Sequence, residues 1–354
     1  MLAKVEVAII GGGQAGMAAG YYLARNGVDY LVLDRGLAAG SSWRSRYDSL
    51  VLFTPRMYSQ LPGMPFPGDA GRLPTKDETA DYLSAYATRF GLKIRYGTTV
   101  NSVAKEEAGF VIHTDKGQYS ARAVIIATGP FQQPWIPDFA KRLSPSIVQL
   151  HSSQYINPGQ LTDGDSLVVG AGNSGAQIAY ELSGANLGKV ALSAGHRPLS
   201  LPMTVMGKNI FYWFDKLGIL SAPSDSWLGR RIRSRPDPLF GLEFKRAVKQ
   251  NTIELLPKSV GSEGISVVLA DGSRRSYANI IWSTGFRPEY SWLDVPGIIN
   301  EGGGLIHRYG VTSVEGLYAV GLPWQSRRSS ALIGGVEEDA RAVVDHILAG
   351  RQHN

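Results

Sequence analysis

An α/β fold with two similar halves, one inserted into the other, is predicted by three features of the sequence. An apolar stretch at 5–10 runs into a G-x-G-x-x-G pattern at 11–16, and the same pattern recurs at 170–175. Two closely similar phrases, "AVIIATGP" at 123–130 and "NIIWSTGFRP" at 279–288, bracket the second pattern. Small residues are expected where a chain leaves and re-enters such a unit, because the backbone passes close to a bound ligand there. The predicted division is 1–159 for the first unit, 160–285 for the inserted unit and 286–354 for the return of the first unit.

The first glycine pattern has the surroundings that a dinucleotide requires. We expect a strand before it, a helix over 14–25, and a second strand over 30–33 that ends on Asp34. The first glycine permits a tight turn, the second lets the backbone approach a diphosphate, and the third lets the helix pack against the strand. The diphosphate would lie at the N-terminus of the helix, and Asp34 would accept a hydrogen bond from a ribose hydroxyl. This Rossmann-like dinucleotide-binding site is expected to contain Gly11, Gly13, Gln14, Ala15, Gly16, Asp34, Arg35 and Val100.

The inserted unit ends its second strand differently. The phrase "VALSAGHRP" at 190–198 closes on Ser193, His196 and Arg197, where an NAD-binding unit usually closes on an acid. A carboxylate would repel the 2′-phosphate of NADPH, whereas Arg197 can form a forked, charge-assisted hydrogen bond to it, and Ser193 and His196 can add donors. We therefore expect NADPH here, with NADH also accepted because the loop is only partly cationic. Two alternatives stay open: Arg197 caps a solvated loop before Pro198, or the second pattern is a close-packed turn without a ligand. The expected contacts are Gly170, Gly172, Asn173, Ser174, Ser193, His196 and Arg197.

The two Thr-Gly turns and the returning segment complete the predicted site. Each turn ends an apolar strand, and "GLYAVGLPWQ" opens the last part of the chain with a strand over 317–320. A loop follows, and then a helix from about residue 331. The residues expected to approach the cofactors from these segments are Thr128, Gly129, Thr284, Gly285, Gly321 and Ile333.

Composition excludes several classes of protein. The 354 residues contain no cysteine, which rules out disulfides, thiolate metal sites and a Cys-x-x-Cys redox pair, and therefore a disulfide reductase of related fold. The six histidines lack the spacing of metal ligands, so we expect no metal. The net charge of +6 comes without a nucleic-acid-binding motif, and a basic face that attracts a polyanionic cofactor explains it better. We expect neither an integral membrane segment nor a secretory signal, and hence a cytoplasmic protein.

These motifs together resemble the group B flavin monooxygenases, which include the flavin-containing monooxygenases and the YUCCA-type enzymes. Two further phrases carry the resemblance, "GSSW" at 40–43 and "QLHSSQY" at 149–155. The second phrase ends in His151-x-x-x-Tyr155, like the family fingerprint. The resemblance covers essentially the whole chain and implies that the first site binds FAD and the second NADPH.

The resemblance also implies roles for single residues. Asp34 should hold the adenosine ribose, Trp43 should lie near the isoalloxazine, and Ser42 belongs to the same cofactor contact. The N-terminus of the last helix would face the negative end of the reduced flavin.

The activity that the resemblance implies is oxygenation of a small soft nucleophile, a sulfide or an amine, through a flavin hydroperoxide. The enzyme would be an FAD-dependent, NAD(P)H-using monooxygenase with Trp43 and Thr54 as candidate catalytic residues. Thr54 lies in "LFTPRMYS", where many members have a catalytic asparagine, and Leu322 stands where many two-loop flavoproteins have an aspartate. The missing asparagine favours an alternative, an NAD(P)H-dependent flavin oxidoreductase or oxidase that passes electrons to oxygen, a quinone or a protein. The expected partners are a small-molecule substrate and dioxygen, without nucleic acid and with a homodimer left open.

Overall fold

The first part of the chain contains the first glycine pattern and most of a large mixed sheet. The computed structural model describes residues 3–351. The strands of this part are β1 (Ala3–Ile10), β2 (Tyr30–Leu33), β3 (Ile94–Arg95), β4 (Val100–Glu106), β5 (Gly109–Thr114), β6 (Gly117–Ile126) and β7 (Gln133–Pro134). The helices are α1 (Gln14–Arg25), α2 (Ser41–Arg44) and α3 (Lys76–Arg89), with short 3-10 helices at Arg56–Tyr58 and Asp138–Arg142.

The middle of the chain forms a second large sheet, three small sheets and its own helices. The strands of this part of the chain are β8 (Val148–His151), β9 (Ser166–Val169), β10 (Val190–Ser193), β11 (Ser200–Leu201), β12 (Thr204–Val205), β13 (Lys208–Asn209), β14 (Leu239–Phe240), β15 (Ile253–Leu256), β16 (Ser259–Glu263), β17 (Ser266–Leu269), β18 (Arg274–Ser276) and β19 (Asn279–Trp282). Its helices are α4 (Asn173–Ser183), α5 (Ile210–Lys216), α6 (Trp227–Arg233) and α7 (Glu243–Lys249), with a 3-10 helix at Pro158–Gln160.

The last part of the chain returns to the first sheet. It comprises β20 (Phe286–Arg287), β21 (Leu293–Asp294), β22 (Leu317–Ala319), a 3-10 helix at Ile333–Gly335 and α8 (Val336–Arg351). Strand β22 pairs in parallel with the end of β6, and β21 pairs with β4 at the edge of the sheet. Within residues 3–351, no helix is long and apolar enough to cross a membrane.

Strand β1 lies inside the first sheet, between β6 and β2, and pairs with both in parallel. The sheet order is β21-β4-β5-β6-β1-β2-β3, with β22 beside β6. Alternate side chains of β1 enter different cores: Val7 and Ile9 pack with α1 and α8, while Ala8 and Ile10 pack on the opposite face. A strand covered on both faces needs apolar residues throughout, which explains the continuous run "VAII" before the first glycines.

The second sheet is parallel throughout, in the order β15-β10-β9-β19-β8. Strand β8 pairs with β19 from Val148 opposite Asn279 to His151 opposite Trp282. The second sheet therefore takes a strand from before residue 160, where the sequence placed the boundary. That pairing joins segments far apart in the chain, and a four-residue strand without glycine or proline at its ends carries no local sign of it. Together the two sheets give the α/β fold with Rossmann-like units that the sequence predicts.

The two segments that cross between the sheets lie side by side. Strands β7 and β20 pair antiparallel, with Phe286 opposite Pro134 and Arg287 opposite Gln133. Each segment follows one of the Thr-Gly turns. The crossing point therefore brings the ends of both turns together between the two glycine patterns.

Helix α1 spans the predicted residues, α3 begins directly after a capping residue, and α8 begins later than predicted. Helix α3 is capped by Thr75, whose side chain accepts from the Glu78 N–H at 3.2 Å while the Glu78 carboxylate accepts from the Thr75 N–H at 2.9 Å. This reciprocal pair is a capping box. The last helix begins at Val336 instead of about 331, and a 3-10 helix at Ile333–Gly335 precedes it.

Candidate functional site

The first glycine loop joins β1 to α1, and packing determines two of its glycines. Gly11 has a left-handed backbone (φ 109°), and a Cβ there would clash with the carbonyl of Ala127. A Cβ on Gly16 would clash with the carbonyl of Gly11. At Gly13, by contrast, a Cβ would meet nothing within 4 Å among the described residues. The open space over Gly13, at the N-terminus of α1, fits a diphosphate because the free N–H groups and the helix dipole favour an anion.

Asp34 is held where the predicted ribose contact requires it, at the end of β2. One carboxylate oxygen accepts from the Gly12 N–H, and the other accepts from the Gly36 N–H at 2.6 Å. A carboxylate offers about four lone-pair sites, so both oxygens can still accept from a hydroxyl. The loop and the acid are therefore positioned by each other before any ligand binds.

The second glycine loop, between β9 and α4, repeats this construction. Gly170 has φ 108°, and a Cβ there would clash with the carbonyl of Ser283. A Cβ on Gly175 would clash with the carbonyl of Gly170, whereas one on Gly172 would meet nothing within 4 Å in the described part of the chain. The second loop thus presents the same open space at a helix N-terminus, and a second diphosphate fits there.

The first Thr-Gly turn packs beside the first loop through Ala127. The Gln132 amide donates to the Thr128 hydroxyl and to the Gly129 carbonyl, both at 2.8 Å. Its carbonyl oxygen accepts from the Glu289 N–H in the returning segment. Gln132 was not among the residues predicted to approach a cofactor. Its place two residues after "ATGP" is the one local signal for such a role.

The second Thr-Gly turn packs beside the second loop through Ser283. The Thr284 hydroxyl donates to the Trp135 carbonyl in the first crossing segment. His151 is fully buried, and its Nε2 donates to the Gly285 carbonyl at 2.9 Å. Burial lowers the pKa of His151, so the ring is held neutral with the proton on Nε2. His151 of the fingerprint thus supports the turn from inside the protein.

Ser193 does not face the predicted phosphate position, and that prediction was wrong. Its side chain is 2% exposed, and its hydroxyl donates to the Pro257 carbonyl at 2.8 Å. The same oxygen accepts from both the N–H and the hydroxyl of Ser259, each at 2.8 Å. The hydroxyl is therefore fully used in joining β10 to the start of β16.

His196 and Arg197 do lie at the surface beyond β10, as the phosphate role requires. Both are exposed, and in residues 3–351 neither side chain has a hydrogen-bond or ion-pair partner. A free guanidinium on the loop after the second strand can bind a ligand phosphate without first breaking a contact. Binding of the NADPH 2′-phosphate by Arg197 would require such an exposed side chain.

At the start of α4, Asn173 and Ser174 are arranged differently. The Asn173 amide donates to the Pro238 carbonyl at 3.2 Å and accepts from the Phe240 N–H at 3.1 Å. The hydrogen bonds of its side chain thus fix the segment before α7. Its backbone N–H is the group that could bind a ligand. Ser174 is exposed beside the glycine loop.

Several of the other predicted contacts lie around the N-terminus of α1. Gly321 has φ 85°, and a Cβ there would meet the Cβ of Ala15 at 2.5 Å, so the end of β22 packs directly on the first turn of the helix. Gln14 is half-buried at the same helix end. Ile333 is 4% exposed and belongs to the core, which leaves only its backbone for a cofactor.

The remaining predicted contacts vary in exposure. Val100 begins β4 two residues after Thr98, whose N–H donates to the Asp34 carbonyl at 2.8 Å. Trp43 is half-buried against the core in α2. Arg35 and Ser42 are exposed.

Thr54 borders a cavity of about 170 Å³ between the first unit and the α5 segment. Thr54 is 5% exposed, and its hydroxyl lies 2.7 Å from that of Ser59, which also donates to the Thr54 carbonyl at 3.1 Å. The cavity walls come from three parts of the chain: Thr54, Tyr58, Phe211, Asp215, Leu220, Ser221, Arg327, Ser329, Leu332, Gly334, Gly335, Glu337 and Glu338.

Comparison with known proteins agrees with this architecture. A family model described as pyridine nucleotide-disulphide oxidoreductase matches residues 8–198. An "uncharacterized oxidoreductase CzcO-like" of Geobacillus kaustophilus is 49% identical over 97% of this chain and 98% of the relative. The indole-3-pyruvate monooxygenase YUCCA1 of Oryza sativa is 29% identical, over 88% of this chain and 85% of the relative.

A solved structure is similar over nearly the full length of both chains. The flavin-containing monooxygenase of Stenotrophomonas maltophilia superimposes with a TM-score of 0.81 and 28% identity, over 98% of this chain and 99% of the other. These relatives support FAD and NADPH as the two dinucleotides and an NAD(P)H- and FAD-dependent oxidoreductase as the enzyme class. The chain thus belongs to the pyridine nucleotide-disulphide oxidoreductase family and, within it, to the flavoproteins that resemble flavin monooxygenases.

Proposed function

We propose that this protein is an FAD-dependent, NADPH-using monooxygenase that transfers one atom of dioxygen to a small soft nucleophile, a sulfide or an amine. The observation that carries the proposal is the pair of matching glycine loops, each with open space over its middle glycine at a helix N-terminus. One loop is accompanied by a carboxylate, Asp34, and the other by an exposed guanidinium, Arg197. Two different dinucleotides suit these two surroundings, and the absence of cysteine removes disulfide reduction from the family's chemistries.

The residues of this chain bind and orient the cofactors. Backbone N–H groups at Gly13 and at the start of α1 would hold the FAD diphosphate, with Asp34 on its ribose. The equivalent groups at Gly172 and α4 would hold the NADPH diphosphate, with Arg197 on its 2′-phosphate. When bound and reduced by the nicotinamide, the flavin supplies the chemistry that activates dioxygen.

The charge of the cavity wall supports the substrate class. Asp215, Glu337 and Glu338 contribute three carboxylates against the single guanidinium of Arg327, a net charge of −2. Arg327 is paired with Glu338, and Glu337 accepts from the Tyr22 hydroxyl at 2.9 Å. A wall with excess negative charge disfavours carboxylate substrates and suits a neutral sulfide or a basic amine. The name of the rice relative gives the carboxylate indole-3-pyruvate as substrate, which is a substrate that such a wall would disfavour.

The size of the cavity supports a small substrate. Its volume of about 170 Å³ is below the roughly 300–1,000 Å³ typical of sites for drug-sized ligands. Phe211, Leu220 and Leu332 supply the apolar part of the wall, which Thr54 and Tyr58 also line.

One observation favours a second candidate, an oxidase or reductase that releases reduced oxygen or passes electrons onward. Thr54 occupies the segment where related monooxygenases have an asparagine, and its hydroxyl is engaged with Ser59. A carboxamide there can donate two hydrogen bonds, whereas Thr54 has one hydrogen to donate. The site therefore has fewer donors with which to retain activated oxygen.

The deciding experiment supplies NADPH, a panel of thioethers and tertiary amines, and isotopically labelled dioxygen to the flavin-loaded protein. We expect one labelled oxygen atom in the product for each NADPH consumed in the coupled fraction. Hydrogen peroxide equal to the NADPH consumed, with no labelled product from any panel member, would establish the oxidase instead. A Thr54→Asn variant, which returns the carboxamide, should raise the coupled fraction, and Thr54→Ser serves as its matched control.

A further inference from the structure

Arg46 has no carboxylate partner among residues 3–351 and lies where the two crossing segments meet. Its guanidinium lies 5.2 Å from the ring centre of Phe131 and 5.7 Å from that of Phe286. Phe131 comes just after the first Thr-Gly turn, and Phe286 follows the second turn directly. The two rings contact each other edge to face, with centres 5.2 Å apart. Arg46 therefore touches both crossing segments at once.

The charge of Arg46 is not paired in the part of the chain that the structure describes. Within residues 3–351, its side chain has neither a carboxylate partner nor a hydrogen bond, although Arg44, two residues earlier, pairs with Asp81 at 2.6 Å. The Arg46 side chain is also half-buried, which removes part of its hydration and lowers its pKa. A cation over aromatic faces recovers some of that loss, but a half-buried guanidinium with its donors unused still favours an anionic ligand.

The surroundings of Arg46 connect it to the second glycine loop. The next residue, Tyr47, donates from its hydroxyl to the Gln177 side chain in α4 at 2.7 Å. On the other side, Phe286 follows Gly285 in the turn whose Ser283 carbonyl packs against Gly170. Arg46 thus stands beside the loop and the helix that would hold a pyridine nucleotide. Such a nucleotide must extend past this point for its ring to reach a flavin at the first loop.

The neighbouring surface also fits such a ligand. Phe131 is 60% exposed despite its size. A flat exposed ring next to an unpaired guanidinium complements a molecule that carries an aromatic ring close to phosphates.

We propose that Arg46 binds the diphosphate bridge of the pyridine nucleotide, a group that NADPH and NADH share. Arg46 is then a second cationic contact with a role distinct from that of Arg197, which would bind the 2′-phosphate that only NADPH carries. The proposal rests on the proposed use of NADPH at the second loop.

The test compares ligands that carry one phosphate feature or the other. Calorimetric titration of the flavin-loaded protein with NADP⁺, NAD⁺ and adenosine 2′-monophosphate separates them, because the last has the 2′-phosphate but neither phosphate of the diphosphate bridge. Arg46→Gln should weaken NADP⁺ and NAD⁺ alike by about 10- to 150-fold and leave the affinity for the monophosphate within about twofold. Arg197→Ala should show the opposite pattern, with NAD⁺ unaffected.

Matched variants distinguish the loss of a charge that binds the ligand from the loss of side-chain packing on Phe131 and Phe286. Arg46→Met keeps an apolar stem over the two phenyl rings without the charge and should bind as poorly as Arg46→Gln, whereas Arg46→Lys should recover part of the affinity. Arg44→Gln removes a paired surface arginine and should change nothing. Unchanged NADP⁺ affinity in Arg46→Gln or Arg46→Met, or an equal loss of affinity for adenosine 2′-monophosphate, overturns the role of Arg46 alone. A wild-type protein that binds no NADP⁺ overturns the proposed function together with this role.

Discussion

Valine substitutions at the two open glycines should remove one cofactor each while leaving the fold intact. Within the two glycine loops, Gly13 and Gly172 are the positions at which an added Cβ would meet no described atom within 4 Å. Their backbones are ordinary extended ones, with φ −76° and −74°. Valine adopts such angles without strain, so Gly13→Val and Gly172→Val act on the ligand rather than on the loop.

The two substitutions should change the free energy of cofactor binding much more than the free energy of unfolding. Both glycines are helix N-caps, and replacing such a residue costs about 1 kcal/mol or less of unfolding free energy. A side chain in the diphosphate position, however, displaces several charge-assisted hydrogen bonds of about 1.5–3 kcal/mol each, which corresponds to a loss of affinity of at least about 100-fold. Gly16→Val is the contrasting control, since its side chain would clash with the Gly11 carbonyl and should destabilise the folded protein itself.

The assay measures flavin per protein after gel filtration, NADP⁺ affinity by titration, and thermal unfolding against flavin-stripped wild type. We expect Gly13→Val to be colourless but folded, and Gly172→Val to be yellow but unable to bind NADP⁺. Full flavin content in Gly13→Val would refute the assignment of FAD to the first loop. Loss of flavin from Gly172→Val with NADP⁺ binding retained would show that the two loops have been assigned in the wrong order.

Three further outcomes follow from single contacts. Arg197→Ala should lower the ratio of the NADPH to the NADH specificity constant by about 10- to 150-fold, as measured by steady-state kinetics. Ser193→Ala should leave that ratio unchanged and cost about 1–3 kcal/mol of unfolding free energy in chemical denaturation, because it leaves the buried Ser259 N–H unpaired and removes the hydrogen bond to the Pro257 carbonyl. NADP⁺ should protect 148–285 from proteolysis more than the flanking segments, as mapped by mass spectrometry of the fragments, and uniform protection would count against a separate nucleotide unit. The pKa of His151 is lowered in the folded protein, so the unfolded state takes up more protons as the pH falls below about 6.5. The difference in unfolding free energy between wild type and His151→Gln, measured by urea titration, should therefore shrink between about pH 7 and pH 5. A difference that stays constant would contradict the assignment of a neutral, buried ring.

The sequence predicted those features whose determining residues lie in one short segment of the chain, and it missed those that depend on contacts between distant segments. The glycine loops are patterns of six residues, and Asp34 ends the second strand of the same short β-α-β segment, so these features were found from their own neighbourhood. The role of Ser193 depended on Ser259, which lies on another strand and has no recognisable pattern of its own. Strand β8 was missed for the same reason, because its partner β19 lies far along the chain. Arg46 became a candidate only when the structure brought Phe131 and Phe286 together.

The two units use one construction and differ at the residue that ends the second strand. In the first unit, Asp34 accepts N–H groups from the glycine loop and from the turn after it, so a negative charge is fixed beside the ligand. In the second unit, Ser193 turns its hydroxyl away toward Pro257 and Ser259, which leaves that position without charge. In the proposed function, a 2′-phosphate would therefore meet no carboxylate at the end of the second strand, and Arg197 would attract it from the loop beyond. Selectivity between the two dinucleotides would then depend on an acid that is absent at the strand end and a cation that is present at the surface, and neither feature changes the glycine loop or its helix.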